Sequence, residues 1–90
     1  AIDYYVRALR IQEKIGNEDG MALILGNIGT LYSLKRDFDK SLEYYNKALP
    51  LLEKSGDKSR ILSLYNNIGN VHYDLGNDLL AADYYLRAID

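Results

Sequence analysis

The chain repeats itself after forty residues, and that echo limits its fold more than any other feature. Laid without a gap over residues 41–80, residues 1–40 match at Tyr4/Tyr44, Tyr5/Tyr45, Ala8/Ala48, Leu9/Leu49, Glu13/Glu53, Lys14/Lys54, Gly16/Gly56, Asn27/Asn67, Ile28/Ile68 and Gly29/Gly69. Ten matches in forty exceed the roughly 6% per position that ordinary composition produces. The last ten residues restart the cycle, with Ala81, Asp83, Tyr84, Tyr85, Arg87 and Ala88 repeating Ala1, Asp3, Tyr4, Tyr5, Arg7 and Ala8. Self-similarity at this period marks stacked supersecondary units, each covering its apolar face only against its neighbours.

Within each echo the apolar residues fall at helical spacing. In residues 1–15, Ile2, Tyr5, Leu9 and Gln12 share one face, with Tyr4, Ala8, Ile11 and Ile15 beside them, a stripe wide enough for burial on two sides. Gly16 stops this helix, since glycine accepts the left-handed conformation that satisfies the final carbonyls, and Asn17 caps the next. Residues 19–35 place Met21, Ile24, Leu25, Ile28, Leu31 and Tyr32 on a second stripe. Gly26 and Gly29 inside it cost about 1 kcal/mol each against alanine unless another backbone must come close. Gly29, repeated as Gly69, is read as that contact.

Arg36 and Asp37 form a tight turn, and Asp37 caps a third helix, Phe38–Ser55, with Phe38, Leu42, Tyr45, Leu49 and Leu52 inward. Pro50 deletes one backbone bond there, so a bend or an early end is expected. Gly56 and Asp57 repeat the stop and cap. A fourth helix over 59–75 carries Ile61, Leu64, Tyr65, Ile68, Val71, His72 and Leu75; Gly76 ends it, Asn77 caps, and a fifth starts near Asp78. Nothing alternates with period two, so no strand is assigned. The expected fold is all-α: an α-α superhelix of five antiparallel helices in the order B-A-B-A-B of a two-helix repeat. Residues 1–16 form the second helix of one repeat, 17–56 a full repeat and 57–90 another, truncated; the whole reads as one piece of a longer array.

Composition removes several functional classes. Without cysteine, disulfides and thiolate metal sites are out, which fits a reducing, cytoplasmic setting. No apolar run approaches the ~20 residues of a membrane span, and no leader opens the chain. A net charge of −2 with interspersed signs gives no basic stripe for nucleic acid.

These residues resemble the tetratricopeptide repeat family, whose pattern sets Leu-Gly, an aromatic, and then Ala, aromatic, Ala at fixed offsets. One copy reads Leu25, Ile28-Gly29, Tyr32, Ser41, Tyr45 and Ala48; the next reads Tyr65, Ile68-Gly69, His72, Ala81, Tyr85 and Ala88, after a leading Ala1, Tyr5 and Ala8. The forty-residue period resembles the longer-helix members found in kinesin light chains, spindle-orientation scaffolds and bacterial signalling proteins. Ser41 replaces the first alanine, small for small, and His72 replaces a tyrosine.

The resemblance implies a non-catalytic scaffold whose concave groove, lined by the first helix of each pair, binds a protein or peptide. The candidate contacts are Asn27 and Thr30 in one copy and Asn66, Asn67, Asn70 and Tyr73 in the other, with Ser33, Leu34, Ser63 and Asp74 beside them. Asn66, Asn70 and Tyr73 share one helix face, and an asparagine amide can grip a peptide backbone through its donor and acceptor; the resemblance implies Asn66 and Asn70 as the peptide contacts ahead of Asn27 and Asn67. For the repeated pair Asn27 and Asn67, bonds to helix ends or neighbouring repeats are an equal alternative. Only Lys35 and Arg60 are basic in the first helices, so a carboxylate clamp is not expected. His72 reads as a packed core histidine rather than a ligand or base. Asp37/Asp39 and Asp74/Asp78 read as caps and solvated faces, so no metal or cofactor is expected. The rival reading is a self-association or input segment of a larger signalling protein, acting through exposed terminal helices.

Overall fold

A computed structural model describes residues 2–89; Ala1, which belongs to the repeat signature, lies outside the described residues. Five helices account for the chain: α1 (Ile2–Ile15), α2 (Glu18–Leu34), α3 (Phe38–Ser55), α4 (Lys58–Asp74) and α5 (Asp78–Ile89), with no strand among the described residues. Their ends follow the expected punctuation. Asn17, Asp37 and Asp57 each accept a bond from the backbone N–H three residues on, at 3.1, 3.4 and 3.2 Å. Gly16, Gly56 and Gly76 all take positive φ at the helix exits.

The turn between α2 and α3 is an exception, because Arg36 stands where Gly76 stands in the next copy yet also has φ of +63°. The Arg36 guanidinium lies 5.1 Å from the Phe38 ring centre, a contact that helps offset a conformation side chains avoid. Pro50 does not end α3 early; the helix runs through it to Ser55, with Pro50 on the exposed face beside the exposed Asn46.

Each helix packs on the next in sequence, and among the described residues α2 and α4 are the only helices two apart that touch. The core is a single band in which Ala22, Leu25, Tyr45, Ala48, Leu52, Leu64, Ile68 and Val71 are buried, with Leu9, Phe38, Leu42, Leu49 and Ile61 packed around it. Two expectations fail at the edges. No residue of α1 is buried, because that helix packs on α2 alone and leaves Tyr4, Ile11 and Ile15 exposed. Leu75, placed on the α4 stripe by periodicity, is the cap residue after the helix and is 43% exposed.

The glycine contact takes a specific form. A Cβ added at Gly29 would sit 2.7 Å from the Tyr45 ring, and one added at Gly69 would sit 2.8 Å from the Tyr85 ring. Helix α3 therefore seats a tyrosine ring, not its backbone, in a notch on α2, and α5 repeats this on α4. At Gly69 the Ala81 carbonyl also approaches, to 3.3 Å. Ser41, fully buried, adds a bond where the other copy has alanine: its hydroxyl donates to the Gly29 carbonyl at 2.8 Å. Behind each notch a second aromatic pair stacks, Tyr32 on Tyr44 at 5.6 Å and His72 on Tyr84 at 5.6 Å. Histidine thus preserves the flat contact that tyrosine makes in the first copy.

Candidate functional site

Because the notch glycines and the Ile28/Ile68 pair occupy one side of each first helix, the residues on another side are free to face outward. Those sides of α2 and α4 form the walls of a groove, and α3 supplies its floor. A depression of about 160 Å³ lies in it, floored by Ala48 and Leu52 and walled by Leu23, Gly26, Asn27 and Thr30 of α2 and Ser63, Leu64 and Asn67 of α4. Arg60 reaches its rim, where its guanidinium pairs with Asp57 at 3.3 Å.

The structure brings Asn27, Thr30 and Asn67 together in this groove. Asn66 lies on the other flank of α4, in a shallower depression with Leu62, Ser63, Tyr85, Ala88 and Ile89. Asn70 is beside the same tyrosine, since its Oδ1 accepts a bond from the Tyr85 hydroxyl at 2.5 Å. Tyr73 stands apart on α4, 63% exposed.

Thr30 and Asn70 are register equivalents, and each holds the hydroxyl of the ring in its own notch. The Thr30 hydroxyl donates to the Gly26 carbonyl at 3.1 Å and meets the Tyr45 hydroxyl at 2.8 Å, so the phenol is the donor in that second bond. Burial pushes the Tyr45 phenol above its ordinary range, outweighing the opposing pull of its bonds to Thr30 and Ser41. It remains a neutral donor at any physiological pH.

Sequence reasoning did not find Leu23, Gly26 or the floor residues. Gly26 carried a signal: a mid-helix glycine with no repeat partner, since Asn66 occupies its place in the second copy. A Cβ there would meet nothing within 4 Å, so packing does not require the glycine. Among the described residues no three His, Cys, Asp or Glu side chains gather as a metal site, and no helix is long and apolar enough to cross a membrane.

No curated protein matches the chain. The fold is similar to that in the crystal structure of BtubC (BKLC) from P. vanneervenii, with a TM-score of 0.86 and 28% sequence identity. That likeness covers 97% of this chain and 36% of the other, so the chain spans about a third of that protein's length. Two overlapping matches to the tetratricopeptide repeat, at residues 1–54 and 20–90, between them take in every residue, and the chain belongs to the tetratricopeptide repeat family.

Proposed function

We propose that the chain is a non-catalytic interaction module whose groove between α2 and α4 binds a segment of a partner protein. Tetratricopeptide repeats generally mediate protein–protein contacts. The observation that carries the reading here is an apolar floor with amides of Asn27 and Asn67 on opposite walls of one groove. An amide offers a donor and an acceptor at once, which suits a peptide backbone whatever its side chains. Asn66, Asn70 and Tyr73 extend the contact surface along α4 toward α5, with Asn70 bound through its oxygen to Tyr85.

Selection of displayed peptides on the ninety-residue chain, followed by titration of enriched peptides against Asn27→Ala/Asn67→Ala, tests this. Binding should fall by roughly tenfold or more, the loss of two polar contacts at about 1 kcal/mol each, with the melting temperature unchanged. Equal binding by the double variant removes the groove from the function.

A second reading, self-association, draws on α5. Leu79 and Leu86 are 91% and 66% exposed, and they replace Asp39 and Asn46 of the first copy, which are exposed even with α4 in place. Sedimentation across a concentration series decides it: a monomer at all concentrations refutes association through this face.

A further inference from the structure

The two copies present different chemistry to the groove. Where α4 carries Ser63 and Asn66, α2 carries Leu23 and Gly26 at the same register positions. The glycine is not explained by the fold, because Gly29 receives the Tyr45 ring while the space over Gly26 is empty for at least 4 Å. A glycine in mid-helix is unfavourable, and here its effect is to leave a recess. Leu23, 51% exposed, and Leu64 flank that recess, and Ala48 and Leu52 close it below. The one charged side chain at its rim, Arg60, is already paired with Asp57. The lining is therefore apolar, nearly neutral and bordered by the Asn27 and Asn67 amides.

We propose that the Gly26 recess is the selectivity pocket of the groove and takes one uncharged leucine- or phenylalanine-sized side chain of the bound peptide. This inference rests on the groove reading above and adds to it which residue is chosen. The depression of about 160 Å³ that contains the recess sets the upper limit on size, since an apolar cavity of about 150 Å³ accommodates a benzene ring. The preference for an uncharged side chain follows from the lining, in which Arg60, half-exposed at the rim and 3.3 Å from Asp57, is the one charged residue, so a Lys, Asp or Glu side chain entering the recess would lose water without a partner. The neighbouring amides would hold the backbone on either side of the anchor, while Ser63 at the edge of the recess offers a hydroxyl to a polar residue next in line.

The test uses the intact ninety-residue chain, labelled with ¹⁵N and titrated with capped single residues. N-acetyl-leucine and N-acetyl-phenylalanine methylamides should shift the amides of Gly26, Asn27, Thr30, Ser63 and Asn67. The alanine analogue should bind roughly tenfold more weakly, as expected for the loss of side-chain carbons from an apolar pocket, and the lysine and glutamate analogues no better than alanine. Raising the salt concentration should leave the leucine titration unchanged. In Gly26→Leu, whose Cβ meets nothing within 4 Å and whose side chain would occupy the recess, that preference should vanish while the alanine-level shifts at Asn27 and Asn67 persist. If every analogue shifts the groove equally, the groove binds backbone and the pocket is wrong. If none shifts it, both readings fail. A leucine preference that survives in Gly26→Leu, or shifts centred outside the groove, overturns the assignment.

Discussion

Replacing Gly29 by alanine is the sharpest test of how this array is held together. An ideal Cβ at Gly29 lies 2.7 Å from two carbons of the Tyr45 ring and 3.1 Å from a third. Relaxed carbon contacts need about 3.5–4.0 Å, so the ring must withdraw by about 1 Å. Tyr45 is 2% exposed, inside the main core band, and its hydroxyl is fixed by Thr30. It has nowhere to go without disturbing that cluster. Overpacking of this kind costs about 1–3 kcal/mol, and loosening the hydroxyl bond adds about 1 kcal/mol. Alanine's better helix propensity returns about 1 kcal/mol. The net loss is about 1–3 kcal/mol, and at roughly 4–8 °C per kcal/mol for a domain of this size the melting temperature should fall by about 5–20 °C. Gly26→Ala is the internal control. It sits three residues away in the same helix with nothing within 4 Å of its Cβ, so it should gain up to about 1 kcal/mol and melt a few degrees higher. Gly69→Ala should fall between them, because the half-buried Tyr85 can swing outward while the Ala81 carbonyl, 3.3 Å from the new Cβ, must still give way. Thermal unfolding followed by far-ultraviolet circular dichroism measures all three. If Gly29→Ala melts at or above the parent, the seated ring does not explain the repeated glycine.

Three further outcomes follow from single groups. Gly56→Ala should lose about 1 kcal/mol although nothing crowds its Cβ, because φ there is +75° and the penalty is backbone strain alone; chemical denaturation measures it against Gly26→Ala. Ser41→Ala, which restores the alanine of the other copy, should also cost about 1 kcal/mol in the same assay, from the buried bond to the Gly29 carbonyl. His72 should make stability depend on pH: its Nδ1 is cut off from solvent without a partner, and burial lowers its pKa below the ordinary 6.5. The unfolded chain then binds more protons than the folded one just below pH 6.5, so the stability is intact above that value and declines as pH falls through the folded pKa. In His72→Tyr, matched to Tyr32, the drop in melting temperature between pH 7 and pH 5 should shrink; an identical drop means other groups cause it.

The helices, their caps and most of the core were legible because they depend on local chemistry and on period. Asn17, Asp37, Asp57 and the glycines after the helices announce themselves within four residues of sequence. The strain at Arg36 was hidden, since nothing local shows that an arginine has taken a glycine's conformation. Periodicity also overreached at Leu75, where it cannot tell the last buried turn from the first exposed residue beyond it. At Pro50 the early end does not occur, for a related reason. Its local cost is real, but α3 is held on both sides of it by Tyr45, Ala48 and Leu52, and burial there outweighs one lost backbone bond. In the groove, polar candidates were easy to nominate because they interrupt an apolar stripe. Leu23 was not, because it belongs neither to the apolar stripe nor to the polar residues that interrupt it; only the packed helices show it on the groove wall, 51% exposed.

The arrangement of α2 explains why fold and binding can vary separately in such an array. Its stacking side is fixed by contact: Ile28 is wholly buried, Gly29 has a ring against it, and both recur unchanged as Ile68 and Gly69. Its groove side meets the lining of an open channel, and there the copies diverge, Leu23 to Ser63, Gly26 to Asn66 and Thr30 to Asn70. Thr30 and Asn70 differ in kind yet both bond the notch tyrosine, so that position tolerates any side chain able to reach the phenol. Asn27 and Asn67 are the informative case. They repeat as strictly as the core, yet both line the channel, and neither has a hydrogen-bonded partner that would demand an amide among the bonds described. Packing accounts for identity at Ile28 and Gly29 but not at the neighbouring asparagine. On the groove proposal, a ligand backbone shared by both copies would account for it, and side-chain selection would fall to the positions that changed.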